Sequence, residues 1–228
     1  MSIRSSVLAR ILNDVNSRLA AGDSISGGER SRVVRDLLDG QIRSGRYAGL
    51  FARVETVSRD GVPLFTGEKL RTKGAVRHVL THETTRLLRI LAPEDAGVRE
   101  ALALVAERVA GACYAADFCV IGECAHAAVA FMRALAAGGH PDAENRLERH
   151  LRVLERRRDG KGRWRGFPFY YTILTLLEID LPAADNALRY AGPACGRVAR
   201  RRTGLEEMTA RRREIIERAL HRIGESSV

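Results

Sequence analysis

Apolar residues recur every three or four positions through most of this 228-residue chain, the period of an α-helix with one face turned inward. Ile3, Val7, Leu8, Ile11, Leu12, Val15 and Leu19 form one such stripe, ended by Gly22-Asp23. A second helix is predicted from about Glu29 to Ile42, and a third from Thr72 to Leu91, stopped by Pro93. Val98, Ala101, Leu102, Val105 and Val109 outline a fourth. Between Val120 and Ala137 the chain is apolar on nearly every side, as a helix surrounded by others would be, and it stops at Gly138-Gly139. The next helix opens at Pro141-Asp142 and turns Leu147, Leu151 and Leu154 inward. Pro182, Gly192-Pro193 and Gly204 are expected to cut the following stretch into short pieces. A last amphipathic helix carries Met208, Ile215, Ile216, Ala219, Leu220 and Ile223. The period breaks between Leu50 and Phe65, where Asp60-Gly61 and Pro63 point to one short β-hairpin near 50–65. The expected class is therefore all-α, built of stacked helical hairpins in a single domain over 1–228, with a weak internal division near 92–97.

Charge changes this picture more than composition does. Hydrophobic residues at 45% and charged residues at 29% are ordinary for a globular domain. The formal charge of +10 is not, and it is carried by arginine, the only lysines being Lys69, Lys73 and Lys161. Such a surface attracts phosphates, nucleic acid or an acidic partner through a screened field. The arginines are spread along the chain, though densest from Arg197 to Arg213, so a nucleic-acid partner is possible but not favoured. No segment offers the roughly 18 apolar residues of a membrane span, and arginines interrupt the apolar stretch of Met1 to Arg10. A cytoplasmic protein with free thiols at Cys113, Cys119, Cys124 and Cys195 is expected.

The densest local signal lies between 158 and 179. Arg158-Asp159-Gly160-Lys161-Gly162-Arg163 forms a polar, glycine-punctuated turn, and Trp164, Phe167, Phe169, Tyr170 and Tyr171 follow it within eight residues. Aromatics at a helix entrance pack more often than they bind. The flanking Arg158, Arg163 and Arg165 keep open a pocket for an anionic or diphosphate-bearing ligand. An echo of the turn occurs earlier, in Gly45-Arg46-Tyr47 against Gly162-Arg163-Trp164.

Polar helix, Asp-Gly-x-Gly-x-Trp turn and aromatic-Thr helix entry, clearest over Asp117 to Ile179, resemble the repeat of the terpenoid cyclases and protein prenyltransferase β-subunits. The resemblance implies a partial α/α toroid. It also implies a zinc site of the Asp-x-Cys and aromatic-Tyr-His-Thr kind, which Asp117-Phe118-Cys119 and Phe169-Tyr170-Tyr171-Thr172 resemble. Tyr171 stands where the ligating histidine would be, and a phenol of pKa near ~10 is a poor zinc ligand. The acidic cluster of the cyclases is absent from the sequence.

Other constellations compete with bland readings. Glu123 and His126 have the Glu-x-x-His spacing of di-iron bundles but no second copy, so a buried polar pair is preferred. His78 and His82 are spaced to grip a metal, yet Arg77, Arg86 and Arg89 crowd them. Cys113 and Cys124, on a continuous helix, would share a face three turns apart with Cys119 pointing elsewhere. Small core cysteines are therefore expected; the thiols close on one ion only if Ala116 to Gly122 is a loop. No nucleophile elbow, phosphate loop or dinucleotide fingerprint occurs.

The leading expectation is a binding or scaffold protein without a cofactor, its pocket lined by Trp164, Phe169, Tyr170, Tyr171, Arg163 and Arg165 and suited to a small apolar or anionic ligand. One alternative is an enzyme on an isoprenoid-like substrate, with Asp117, Glu123 and His126 as acid–base candidates and Asp117, Cys119 and His126 as weak candidates for zinc. The other is a basic nucleic-acid-associated helical protein acting through Arg200 to Arg213. The sequence assigns neither a reaction nor an oligomeric state.

Overall fold

A computed structural model describes residues 5–200 and 207–225. They form helices α1 (Ser5–Ala21), α2 (Gly27–Asp39), α3 (Lys73–Leu91), α4 (Ala96–Ala110), α5 (Cys113–Ala116), α6 (Cys124–Ala136), α7 (Ala143–Arg156), α8 (Phe169–Leu177), α9 (Pro182–Ala199) and α10 (Glu207–Glu225). Between α2 and α3 runs a two-stranded antiparallel ribbon, β1 (Val62–Pro63) on β2 (Lys69–Leu70). The fold is all-α with one short hairpin, as the periodicity implied.

Helix starts follow capping chemistry. Ser26, Thr72 and Asp95 stand before α2, α3 and α4 in extended conformation, and their side-chain oxygens accept from the backbone N–H of Glu29, Ala75 and Val98. The N-terminus of α8 is capped from a distance. The Glu68 carboxylate, at the end of the ribbon turn, accepts from the N–H groups of Tyr170 (3.2 Å) and Tyr171 (2.7 Å). A negative charge there also complements the helix dipole.

Helices α3 and α6 pack on one another at the centre. Fourteen of the 19 residues of α3 and ten of the 13 of α6 are buried, so neither has a broad solvent face. Alanines at 127, 128, 130 and 134 of α6 are buried and let its neighbours come close. Helices α1, α2 and α4 cover α3, α5, α7 and α8 lie against α6, and α9 with α10 closes the α8 side.

Three boundaries differ from the periodic reading. The helix expected from Val120 begins only at Cys124, because residues 117–123 form a loop. The hairpin turn lies at 64–68 around Gly67 (φ 74°), after β1, instead of at Asp60-Gly61. Gly192-Pro193 does not break the chain: α9 continues through it. A proline removes one helical hydrogen bond, but Ala187, Leu188, Ala191, Ala194 and Cys195 keep one buried face against α7 and α10, and that packing prevails. The expected break at Gly204 lies outside the described residues.

Candidate metal centre

The interface of α1, α3, α6 and α8 is ionic at its core. Arg133 of α6 donates through Nη1 to both oxygens of Glu83 (2.8 and 2.7 Å). It donates through Nη2 and Nε to Glu178 (2.8 and 3.0 Å), and through Nη2 to Oδ1 of Asn16 (3.2 Å). Arg86 reaches the same Glu178 through Nε and Nη2, both at 2.9 Å, and Asn16 through Nη1 at 3.1 Å. The hydroxyl of Tyr171 donates to Glu83. Two arginines balance two glutamates, and every polar atom of Arg133 is used. Burial alone would raise the Glu83 pKa, but Arg133, Arg86 and the Tyr171 hydroxyl hold the carboxyl below the usual range. Tyr171 is thereby fixed as a structural donor, and its phenol is pushed well above its ordinary value, first by burial and then by Glu83.

The other aromatic candidates are also packed. Trp164 and Phe169 belong to the core, Tyr170 is half-buried, and Trp164 lies 5.9 Å from the Tyr190 ring. Arg163 is exposed and stacks on Phe169 at 4.3 Å, while Arg212 covers Tyr170 at 4.7 Å. Arg165 is exposed. The glycine turn preceding them is a closed unit: Asp159 Oδ1 accepts from the N–H of Lys161 (2.7 Å), the N–H of Arg163 (3.0 Å) and the Tyr190 hydroxyl (3.0 Å). The arginine run at Arg200 to Arg213 lies partly outside the described residues.

The histidine constellations separate. His78 and His82 both address one partner, the Tyr114 hydroxyl, at 3.0 and 2.9 Å. Burial, helped by His78 and Arg89, lowers His82 to about 3, so it is a neutral core group. Glu123 does not pair with His126: its carboxylate accepts from the Thr72 hydroxyl above the start of α3. His126 is half-buried, and its Nδ1 has no partner among the described residues.

The cysteines overturn the expectation of scattered core thiols. Cys113 opens α5, Cys119 lies in the loop 117–123, and Cys124 opens α6. Their three sulfurs lie within 4.8 Å of one another, with Cys113 Sγ 3.5 Å from Cys124 Sγ. The continuous helix assumed for 113–124 would have held them turns apart. The chain folds back instead because Phe118 takes a left-handed conformation (φ 55°), the one non-glycine with positive φ among the described residues, and Gly122 another (φ 57°). Packing secures the strained position: the Phe118 ring lies 4.6 Å from His150 and under the Arg149 guanidinium at 4.1 Å. The N–H of Cys119 donates to the Cys113 carbonyl at 3.1 Å and that of Cys124 to the Ile121 carbonyl at 3.1 Å, fixing the stations.

The sulfurs are electrostatically unequal. The Ile121 N–H donates to the Cys119 sulfur, and with the two neighbouring thiols this lowers the Cys119 pKa against burial and Asp117. Cys124 moves the other way, first through burial and then through its two neighbours. Asp117 is exposed, and its N–H ends α5 on the Cys113 carbonyl at 2.9 Å. Of the sequence candidates for zinc, Asp117, Cys119 and His126, only Cys119 falls in the sulfur cluster. Cys113 and Cys124 complete it.

Comparison with protein-family models, curated proteins and solved structures finds no match.

Proposed function

We propose that this chain is a zinc-binding helical protein whose ion is held by the thiolates of Cys113, Cys119 and Cys124. The carrying observation is the convergence of three sulfurs within 4.8 Å from three separate backbone stations. Zinc–thiolate bonds of ~2.3 Å in a tetrahedron put sulfurs about 3.8 Å apart. The 3.5 Å between Cys113 and Cys124 is close to that separation.

Burial supports the reading. A cysteine serving as a small apolar core residue is usually buried, as Cys195 is, yet Cys113 is exposed and Cys119 and Cys124 are only half-buried. Three thiols gathered at the surface gain little from packing. Three thiolates around a divalent cation carry one net negative charge, which the +10 chain accommodates. Three protein ligands leave one coordination position for water or an exogenous group, the pattern of accessible zinc sites; closed structural sites use four. Zinc bound there would supply Lewis acidity at the surface beside Cys113. That keeps open an enzymatic use of the site. The prenyltransferase-like reading of the sequence touches it at Cys119 alone, because Tyr171 is bonded to Glu83.

The close Cys113–Cys124 pair also favours a second reading, a dithiol that forms a disulfide by exchange with an external disulfide, which leaves as two thiols. Anaerobic cobalt titration separates the two. The zinc reading expects one Co²⁺ per chain, with intense tetrahedral visible bands and thiolate charge-transfer absorption. These are displaced by Zn²⁺, lost in Cys119→Ser and unchanged in Cys195→Ala. Only weak octahedral absorption, or the same spectrum in a variant lacking all three cysteines, would reject it.

A further inference from the structure

We infer that the cavity between α3, α4, α6 and α7 binds a small organic carboxylate, with its head on Arg89 and Arg146 and a short apolar tail between α4 and Phe131. This site shares no residue with the thiol cluster and stands or falls independently of it.

Size comes first. The cavity measures about 70 Å³. That exceeds the roughly 10–15 Å³ one water needs and falls well below the ~300 Å³ of a drug-sized pocket. A ligand of a few carbon atoms is what it can hold. Its walls are Val105, Val109, Phe131 and Leu135 with neighbouring alanines, an apolar sleeve.

Charge decides the head group. The 14 lining residues include Arg89, Arg146, His82 and His140 but no aspartate or glutamate. Each guanidinium is anchored by a backbone carbonyl: Arg89 Nη1 donates to Ala134 at 2.7 Å and Arg146 Nη1 to Ala115 at 3.3 Å. Each also carries a buried Nε–H with no hydrogen-bond acceptor among the described residues. Arg89 pairs with no carboxylate among them. Arg146 has Asp142 3.4 Å away, out of hydrogen-bond geometry and outside the cavity lining. Of the other polar lining groups, His82 Nε2 meets the Tyr114 hydroxyl (2.9 Å), Thr85 donates to the Thr81 carbonyl (3.0 Å) and His140 Nδ1 accepts from the Asp142 N–H (3.1 Å). Desolvation alone lowers the pKa of Arg89; that of His140 is lowered first by burial and then by Arg146 and Arg89, against Asp142. A buried Nε–H left without an acceptor is costly, and a bound carboxylate removes that cost through charge-assisted hydrogen bonds.

The test is calorimetric titration of the full chain at constant ionic strength with straight-chain carboxylates from acetate to hexanoate, their neutral amides and inorganic phosphate. The site predicts saturable one-to-one binding that tightens with tail length until the sleeve is full and then weakens. It also predicts amides and phosphate at least about tenfold weaker than the best acid. Arg89→Gln should weaken the acid by about ten- to a hundredfold. Ala106→Trp, at an exposed position on the rim, should abolish binding without disturbing the guanidinium anchors. Equal binding of acid and amide, indifference to tail length, or full affinity in Ala106→Trp would each overturn the assignment.

Discussion

The Tyr171 hydroxyl donates a hydrogen bond to the Glu83 carboxylate in the closed space between α3 and α8. A position that the sequence marks as a departure from a metal-ligand pattern is thus one arm of a satisfied ionic core. Tyr171→Phe removes one donor but leaves Glu83 with both Arg133 bonds and Asn16. The expected loss is about 1–2 kcal/mol by denaturant unfolding, with cobalt binding unchanged. Loss of the cobalt spectrum in this variant would show that the ionic core and the thiol centre are one site.

Breaking the same network at its hub is more severe. Arg133 is 2% exposed and binds Glu83, which is buried with it, and Glu178, which is 21% exposed and also held by Arg86. Arg133→Met strands buried negative charge on Glu83 and is expected to cost roughly 3–5 kcal/mol. A joint variant, Arg133→Met with Glu83→Leu, should recover part of the loss. Double-mutant unfolding that shows simple additivity would contradict the coupling.

Stability should fall with mild acid. His82 and His150 are buried and held neutral, lowered to about 3 and about 4, in both cases by desolvation first and then by nearby cationic groups, which include Arg146 and Arg149 for His150. Their ordinary value is 6.5, so between that pH and the folded value the unfolded chain takes up protons that the folded chain refuses. Stability is therefore full above about pH 6.5 and declines as pH drops, on the order of 1 kcal/mol per pH unit for each group. Urea unfolding at pH 7.0, 6.0 and 5.0 checks the slope, and His150→Gln should flatten it. A rise in stability over that interval contradicts the burial.

Gly162 tests the aromatic turn. Its φ of 85° is left-handed, and an added Cβ would meet the Ala194 Cβ at 3.0 Å and the Ala194 backbone nitrogen at 3.2 Å. Gly162→Ala should cost about 1–3 kcal/mol, from backbone strain and from crowding against α9. Gly160→Ala is the control: it shares the conformation but has open space beside it, so the smaller loss measures strain alone. Equal losses would remove the packing argument.

What the sequence made visible follows from where polar and apolar residues segregate. In α7, Leu147, Leu151 and Leu154 stand against a charged face, and all three are buried. The centrality of α3 was hidden because its inward face carries Glu83, Arg86 and His82, which a hydrophobic pattern counts as outside. Phe118 hid the thiol centre: a left-handed non-glycine is not legible from residue type, so the apolar run from Val120 read as a continuous helix and scattered the cysteines along it. Once 117–123 is a loop, the spacing of Cys113, Cys119 and Cys124 becomes a convergent set. The aromatic platform was seen, but the depth of Trp164 and Tyr171 depends on α9 and α3, which local spacing does not encode.

Zinc K-edge X-ray absorption on protein loaded with one equivalent of Zn²⁺ tests the central claim most directly. A site held by the three thiolates gives three sulfur scatterers at ~2.3 Å and one lighter oxygen or nitrogen scatterer, with sulfur falling to two in Cys119→Ser. A first shell of oxygen and nitrogen alone, or an unchanged sulfur count in that variant, would contradict it.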